Sequence, residues 1–190
     1  MQRLVHPLPD RGHAARSSPL ASNRLDAFIS AMSLPAFAHD RVLEVLVANA
    51  RAEALSPSFH AGVNLMHAAF LDPQLRSLYR NWEDMTSRLV AYLRAQAATP
   101  PHDERLDGLV DELSDRSERF AYLWALQEVG AVSSGVNILD HPIVGPLELN
   151  FERLCFAGTD HPVVLIYHAT PGTSSDHALQ RLASRVLSTP

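Results

Sequence analysis

Phe70–Trp82, FLDPQLRSLYRNW, is the stretch whose reading decides the fold. Asp72 is a residue type that caps helices and Pro73 suits a first helical position, so the stretch predicts the end of one helix, a proline-started turn and the entry to a longer helix. Phe70, Leu71, Leu75, Leu78, Tyr79 and Trp82 put six large apolar or aromatic side chains into thirteen residues. Such a segment is stable only when buried, so the helices around it form a core or the wall of a pocket.

Downstream, Trp82, Met85, Leu89, Leu93 and Gln96 keep helical spacing almost to Thr99, with Asp84 and Arg88 placed for an i,i+4 ion pair. Pro100-Pro101 ends that helix. Asp103 caps a second, striped by Leu106, Leu109, Val110 and Leu113, and Ser117 caps a third carrying Phe120, Leu123 and Trp124. Beyond Gly130 the period changes from 3.6 to 2. Val136 and Ile138, then Leu147, Leu149 and Phe151, alternate with polar positions, as half-wet strands do. Gly145-Pro146 reads as a turn or a bulge. His161–Ala169 is apolar on both faces, which predicts a central strand. Ser174 or Ser175 then caps a last helix striped by Ala178, Leu179, Leu182 and Val186.

Upstream, Ala61–Phe70 is helical in pattern, and Asn49-Ala50 opens a helical turn that ends near Ser56-Pro57. Ala36–His39 and Arg41–Val47 predict a hairpin bent at His39-Asp40. Leu25, Phe28, Ile29 and Met32 form the face of a short amphipathic helix behind a Ser22-Asn23 cap. Met1–Leu20, broken by prolines and Gly12, reads as a linker or arm, leaving 21–190 as one domain. The element order predicts an α+β fold, one antiparallel sheet with helices packed mainly on one face.

Composition narrows the function. Apolar residues are 46% and charged residues 19% of the 190, an ordinary globular balance. A net charge of −5 argues against broad phosphate neutralisation by this chain. All 16 basic residues are arginine, in keeping with a GC-rich bacterial gene. No apolar run suits a membrane span and no signal pattern opens the chain, so the expected location is cytoplasmic.

The residues assemble no catalytic set, and no enzyme is expected. Ten histidines include no HExxH and no ligand-spaced cluster, and the single Cys155 excludes a multi-thiolate metal site. His60 and His67, like His161 and His168, stand seven apart. Ser175, Asp176 and His177 are adjacent at a helix start without GxSxG, and capping explains them. Cys155 between Leu154 and Phe156 reads as a small core residue. Neither GxGxxG nor a P-loop is present. What remains is apolar: Phe70, Leu78, Trp82, Met85, Leu89, Leu109, Leu113, Phe120, Leu123 and Trp124. They either fill a core, giving an interaction or dimerisation module, or line a cavity for a hydrophobic ligand; periodicity does not separate the two.

The run from Phe70 to Trp124 resembles the ligand-binding domain of the MmyB-like transcription regulators. The matching positions are Phe70, Asp72, Pro73, Leu78, Tyr79, Trp82 and Glu83, then Ser117, Phe120, Leu123 and Trp124. The likeness continues through Gly135, His141-Pro142, Val144-Gly145, Leu147, Leu149, Phe151, Leu154, Tyr167, Pro171-Gly172-Thr173, Ser175 and Leu179, and spans about Leu25 to Leu182. It implies a PAS-like fold whose sheet and helices enclose a small ligand of fatty-acid type, and no other cofactor. A homodimer is expected through the helix around Leu25 to Met32. The likeness also implies a DNA-binding helix-turn-helix of the XRE type ahead of the domain. These 190 residues hold no such helices, which fits a truncated regulator or a detached sensor. Where family members often carry His-Asp-Val and then a basic residue, this chain has Gln127, Glu128, Val129 and Val136-Asn137, so a head-group anchor at those positions would be missing. For a lipid acid, Trp82, Met85 and Leu89 are expected along its chain, and Arg76, Arg119 or His141 at its carboxylate.

Overall fold

The computed structural model describes residues 19–127, 130, 134–156 and 162–187. Most of the predicted arm, the divergent Glu128 and Val129, and the predicted strand start at His161 lie outside them, as does the side chain of Val186. The elements run α1 (Pro19–Ser30), β1 (Ala36–His39), β2 (Val45–Ala48), α2 (Ala50–Leu55), a 3-10 turn (Pro57–Phe59), α3 (Leu65–Leu71), α4 (Pro73–Leu78), α5 (Trp82–Ala97), α6 (Glu104–Arg116), α7 (Glu118–Ala125), β3 (Ser134–His141), β4 (Gly145–Cys155), β5 (Val163–His168) and α8 (Ser174–Leu187). The five strands are antiparallel in the order β2-β1-β5-β4-β3. The doubly apolar β5 is therefore the central strand, and the arrangement is PAS-like and α+β.

Odd-numbered side chains of β4 and β5, with Phe37 of β1, face the main core that α2–α8 cover. The opposite face buries only a small cluster of Ile29, Ala36, Ala38 and Val164, covered by α1. Helices thus lie mainly on one face, as the pattern predicts.

Caps set the helix starts by accepting otherwise unpaired backbone N–H groups. Asn64 accepts from Met66 and His67, Asp72 from Gln74, Asp103 from Arg105 and Ser117 from Phe120. Asn49 does more. Its amide oxygen accepts from Ala36 and Ala52, and its nitrogen donates to the carbonyls of Ile29, Met32 and Leu34. One buried amide thereby joins the end of α1, the start of β1 and the start of α2.

Several local expectations need correction. Ser22 and Asn23 lie inside α1, which begins at Pro19. The hairpin bends over Asp40–Leu43, where the Asp40 carboxylate accepts from Val42 and Glu44 and holds Leu43 at φ 60°. The helix expected from Ala61 starts at Leu65. The start of α8 is tied by Thr173, whose hydroxyl accepts from Asp176 N, while Ser175 turns away to accept from Glu148 N. Asp84 does not pair with Arg88, whose guanidinium reaches the sheet instead. Cys155 is exposed at the end of β4, not a core residue.

The Phe70–Trp82 stretch supplies α4 and the join between the layers. Between α4 and α5, Arg80 N donates to the Ile138 carbonyl at 2.8 Å, and the Asn81 side chain accepts from Ile138 N at 2.9 Å and donates to the Val136 carbonyl at 3.1 Å. Asn81 precedes α5 without capping it by its side chain, because that side chain is spent on β3. The loop thus covers part of the edge strand and pairs the Ile138 N–H and C=O and the Val136 carbonyl.

Candidate functional site

A cavity of about 70 Å³ lies between the sheet and the helical layer. Its floor is Phe37 and His39 of β1, Asn137 of β3, Phe151 and Arg153 of β4, and Leu165 and Tyr167 of β5. Its roof is Leu65, Ala69, Leu75, Tyr79, Met85, Arg88, Leu89 and Tyr92 from α3 to α5, closed by Leu43 and Phe59. Strand alternation puts Phe151 and Arg153 on the same face, and helical spacing aligns Met85, Arg88, Leu89 and Tyr92.

Aromatic rings occupy much of the space between the layers. Phe59 stacks on Phe37 with centroids 4.5 Å apart and on Tyr167 at 5.6 Å. This is why the void is smaller than the several hundred Å³ typical of drug-sized pockets.

Besides buried His39, whose Nδ1 meets the Asp40 carbonyl at 2.7 Å, two polar features interrupt the apolar wall. In the first, Arg88 donates to the Asn137 side-chain oxygen at 2.7 Å, and Asn137 donates to the Tyr167 hydroxyl at 3.2 Å. Tyr79 hydrogen-bonds Tyr167 in turn; burial holds both phenols above the ordinary tyrosine range, Tyr79 the more strongly. The second is Arg153. Its guanidinium carbon lies 3.7 Å from the centre of the Tyr92 ring, and desolvation pushes its pKa down.

Of the expected ligand-contacting residues, Met85 and Leu89 line this cavity. The rest are gathered elsewhere. Phe70, Trp82, Phe120 and Trp124 form an aromatic group within the helical layer: Phe70 meets Trp82 edge-on at 6.5 Å and Phe120 at 5.2 Å, and Phe120 stacks on Trp124 at 5.7 Å. Leu78, Leu109, Leu113 and Leu123 are buried in the core without reaching the void. Arg76 lies over the Trp82 ring at 4.5 Å, and Arg119 donates to the Glu83 carbonyl and Thr86. His141 donates through Nε2 to the Ala54 carbonyl and accepts at Nδ1 from Ile143 N and Val144 N. None of these three lines the cavity.

Sequence reasoning misses Arg153, Arg88, Tyr79 and Tyr167 as wall residues, although Tyr79 and Tyr167 match the family pattern and Asn137 departs from it. The signal for Arg153 was its register: it shares a face with Leu147, Leu149 and Phe151, where a charged residue breaks the apolar alternation.

Among the described residues no group of three or more His, Cys, Asp or Glu stands together, and no helix is long and apolar enough to cross a membrane. His67 instead pairs with Glu112 at 3.0 Å and His60 with Glu53 at 3.2 Å.

A PAS-like sheet roofed by helices, with a mostly apolar cavity between them, defines a small-molecule-binding module in its architecture. The chain belongs to the family of MmyB-like transcription regulator ligand binding domains, whose model matches residues 21–182. It is thus a ligand-sensing regulatory domain. No curated protein matches the chain.

Proposed function

We propose that the domain binds one hydrophobic small molecule in the cavity between sheet and helices, and that occupancy biases DNA binding by the regulator. The observation that carries this reading is the void itself, walled by Phe37, Phe59, Phe151 and Leu165 at the place where the two layers meet. Apolar burial there favours a ligand at roughly 25 cal/mol per Å². The family resemblance points to a fatty-acid-like molecule. At about 70 Å³ the void suits a short acyl chain, and a long one must displace Met85 and Leu89. Regulation follows if the ligand prefers one of two arrangements of α5 against the sheet. DNA contact belongs to a helix-turn-helix domain of such a regulator, not to this acidic module.

Native mass spectrometry of the purified protein, followed by denaturation and lipid extraction, tests this. A stoichiometric co-purified apolar molecule supports it. A clean apo mass, together with no thermal stabilisation by a series of fatty acids, sinks it.

A second reading, self-association, has its own observation. On the outer face Phe28 of α1 meets Phe156 edge-on at 6.1 Å, and both rings and Leu154 remain exposed. An exposed apolar group of this kind is suited to a second copy of the chain, giving a homodimer through α1 and the uncovered end of β4.

A further inference from the structure

We infer that Arg153 is the residue in this cavity that holds the carboxylate of an acidic ligand and sets its preference for an acid over a neutral molecule of the same apolar body. The inference rests on the cavity being a ligand site and adds the residue that anchors the ligand's acid group.

Arg153 Nε and Nη1 have no contact with solvent and no hydrogen-bond acceptor among the described residues. The Tyr92 ring covers one face of the guanidinium, and the Nε and Nη1 N–H groups in its plane are left unsatisfied among the described residues. A guanidinium stays charged at any ordinary pH, so the wall of the cavity carries a half-buried cation with two buried, unpaired donors. That arrangement is costly unless something neutralises it. No described residue that lines the cavity is an aspartate or glutamate, and Arg88 adds a second positive group to the same wall. Neither arginine makes an ion pair among the described residues, whereas Arg80, Arg105 and Arg116 on the outside all do. The charge is therefore left for an occupant. A carboxylate answers it, because hydrogen bonds between a guanidinium and an oxyanion are about twice as strong as neutral ones. The body of the acid then lies against Phe37, Phe151 and Leu165, and the small void limits its size.

The test is calorimetric titration of the whole chain with hexanoate and with hexan-1-ol, which share an apolar body and differ in charge. Wild type is expected to bind hexanoate at least about ten-fold more tightly than the alcohol. Arg153→Met should bring hexanoate down to the alcohol's affinity while leaving alcohol binding in place, and Arg153→Lys should keep part of the preference. Retained alcohol binding shows that the methionine variant still folds around its cavity; should it not fold, the wild-type pair and the lysine variant decide. Equal binding of acid and alcohol by wild type, or a preference that survives in Arg153→Met, overturns the role of Arg153 and leaves the ligand-binding reading standing. Binding of neither probe by wild type overturns both.

Discussion

Arg88 on α5 donates to the side-chain oxygen of Asn137 on β3 at 2.7 Å, so one hydrogen bond spans the wall of the cavity from the helical layer to the sheet. Asn137 passes the connection to the Tyr167 hydroxyl on β5 at 3.2 Å. A shift of α5 against the sheet must break this chain, and an occupant that competes for Arg88 or Tyr167 would favour the shifted arrangement. The buried Asn137 amide thus couples the two sides of the cavity, alongside the Tyr79–Tyr167 hydrogen bond.

Asn137→Ala should cost about 1–3 kcal/mol, because Arg88 and Tyr167 each lose a partner in a place where water replaces it poorly. Urea unfolding of both proteins measures the difference. An unchanged midpoint would mean that the bridge does not hold the layers together.

Gly135 sets the floor of the cavity by absence. It pairs with Phe151 across β3 and β4, and a Cβ at that position would stand 2.8 Å from the Phe151 ring. Gly135→Ala should push that ring into the void, lowering stability by about 1–3 kcal/mol and weakening any ligand bound there. Paired melting and binding measurements check this, and an alanine variant that binds and melts like wild type would show that Phe151 has room to yield.

Much of the fold was legible because the signals were local. Asn49, Asn64, Asp72, Asp103 and Ser117 mark helix starts through side-chain-to-backbone bonds a few residues long. The doubly apolar Val163–Tyr167 segment marked the central strand. The cavity was less legible, since it depends on which of two apolar surfaces of the helical layer meets the sheet. Trp82 and Phe120 carry the same apolar signature as Met85 and Leu89, and three-dimensional packing alone sends the first pair into the helical layer and the second to the void. Arg153 was overlooked because a charged residue in a strand reads as solvent-facing until its register is known.

The Trp82 group is expected to behave as core. Trp82 Nε1 donates to the Ala69 carbonyl at 2.9 Å, and its ring lies between Arg76 at 4.5 Å and Arg119 at 5.2 Å. Trp82→Ala should lose about 3–5 kcal/mol of stability. Under conditions where the variant is still folded, its ligand affinity should match wild type, whereas Leu89→Ala should alter affinity directly. A large affinity loss in a fully folded Trp82→Ala protein would place the ligand in the helical layer.

Phe28→Asp tests the outer face. Burying an aspartate beside Phe156 in a second copy's surface would be strongly unfavourable, so sedimentation should move from dimer to monomer while the melting of the monomeric fold changes little. A wild-type chain that sediments as a monomer at high concentration would remove the self-association reading.

Alkaline pH should unfold the protein through Tyr79 and Tyr167. In the unfolded chain each tyrosine loses its proton near pH ~10. In the folded protein burial holds the proton to higher pH on both. Below about pH 10 both states carry it, and the pair adds no slope to stability; above that pH the unfolded chain binds fewer protons, and stability falls as pH rises. The chain has no lysine, so the usual competing titration in this range is missing and the tyrosine signal stands nearly alone. Melting temperature should hold steady up to about pH 10 and then decline. Tyr79→Phe, which keeps the ring and removes the titrating hydroxyl, should flatten that decline. A wild-type melting temperature that stays level well above the tyrosine range would mean that the hydroxyls reach water and that the wall around them is open.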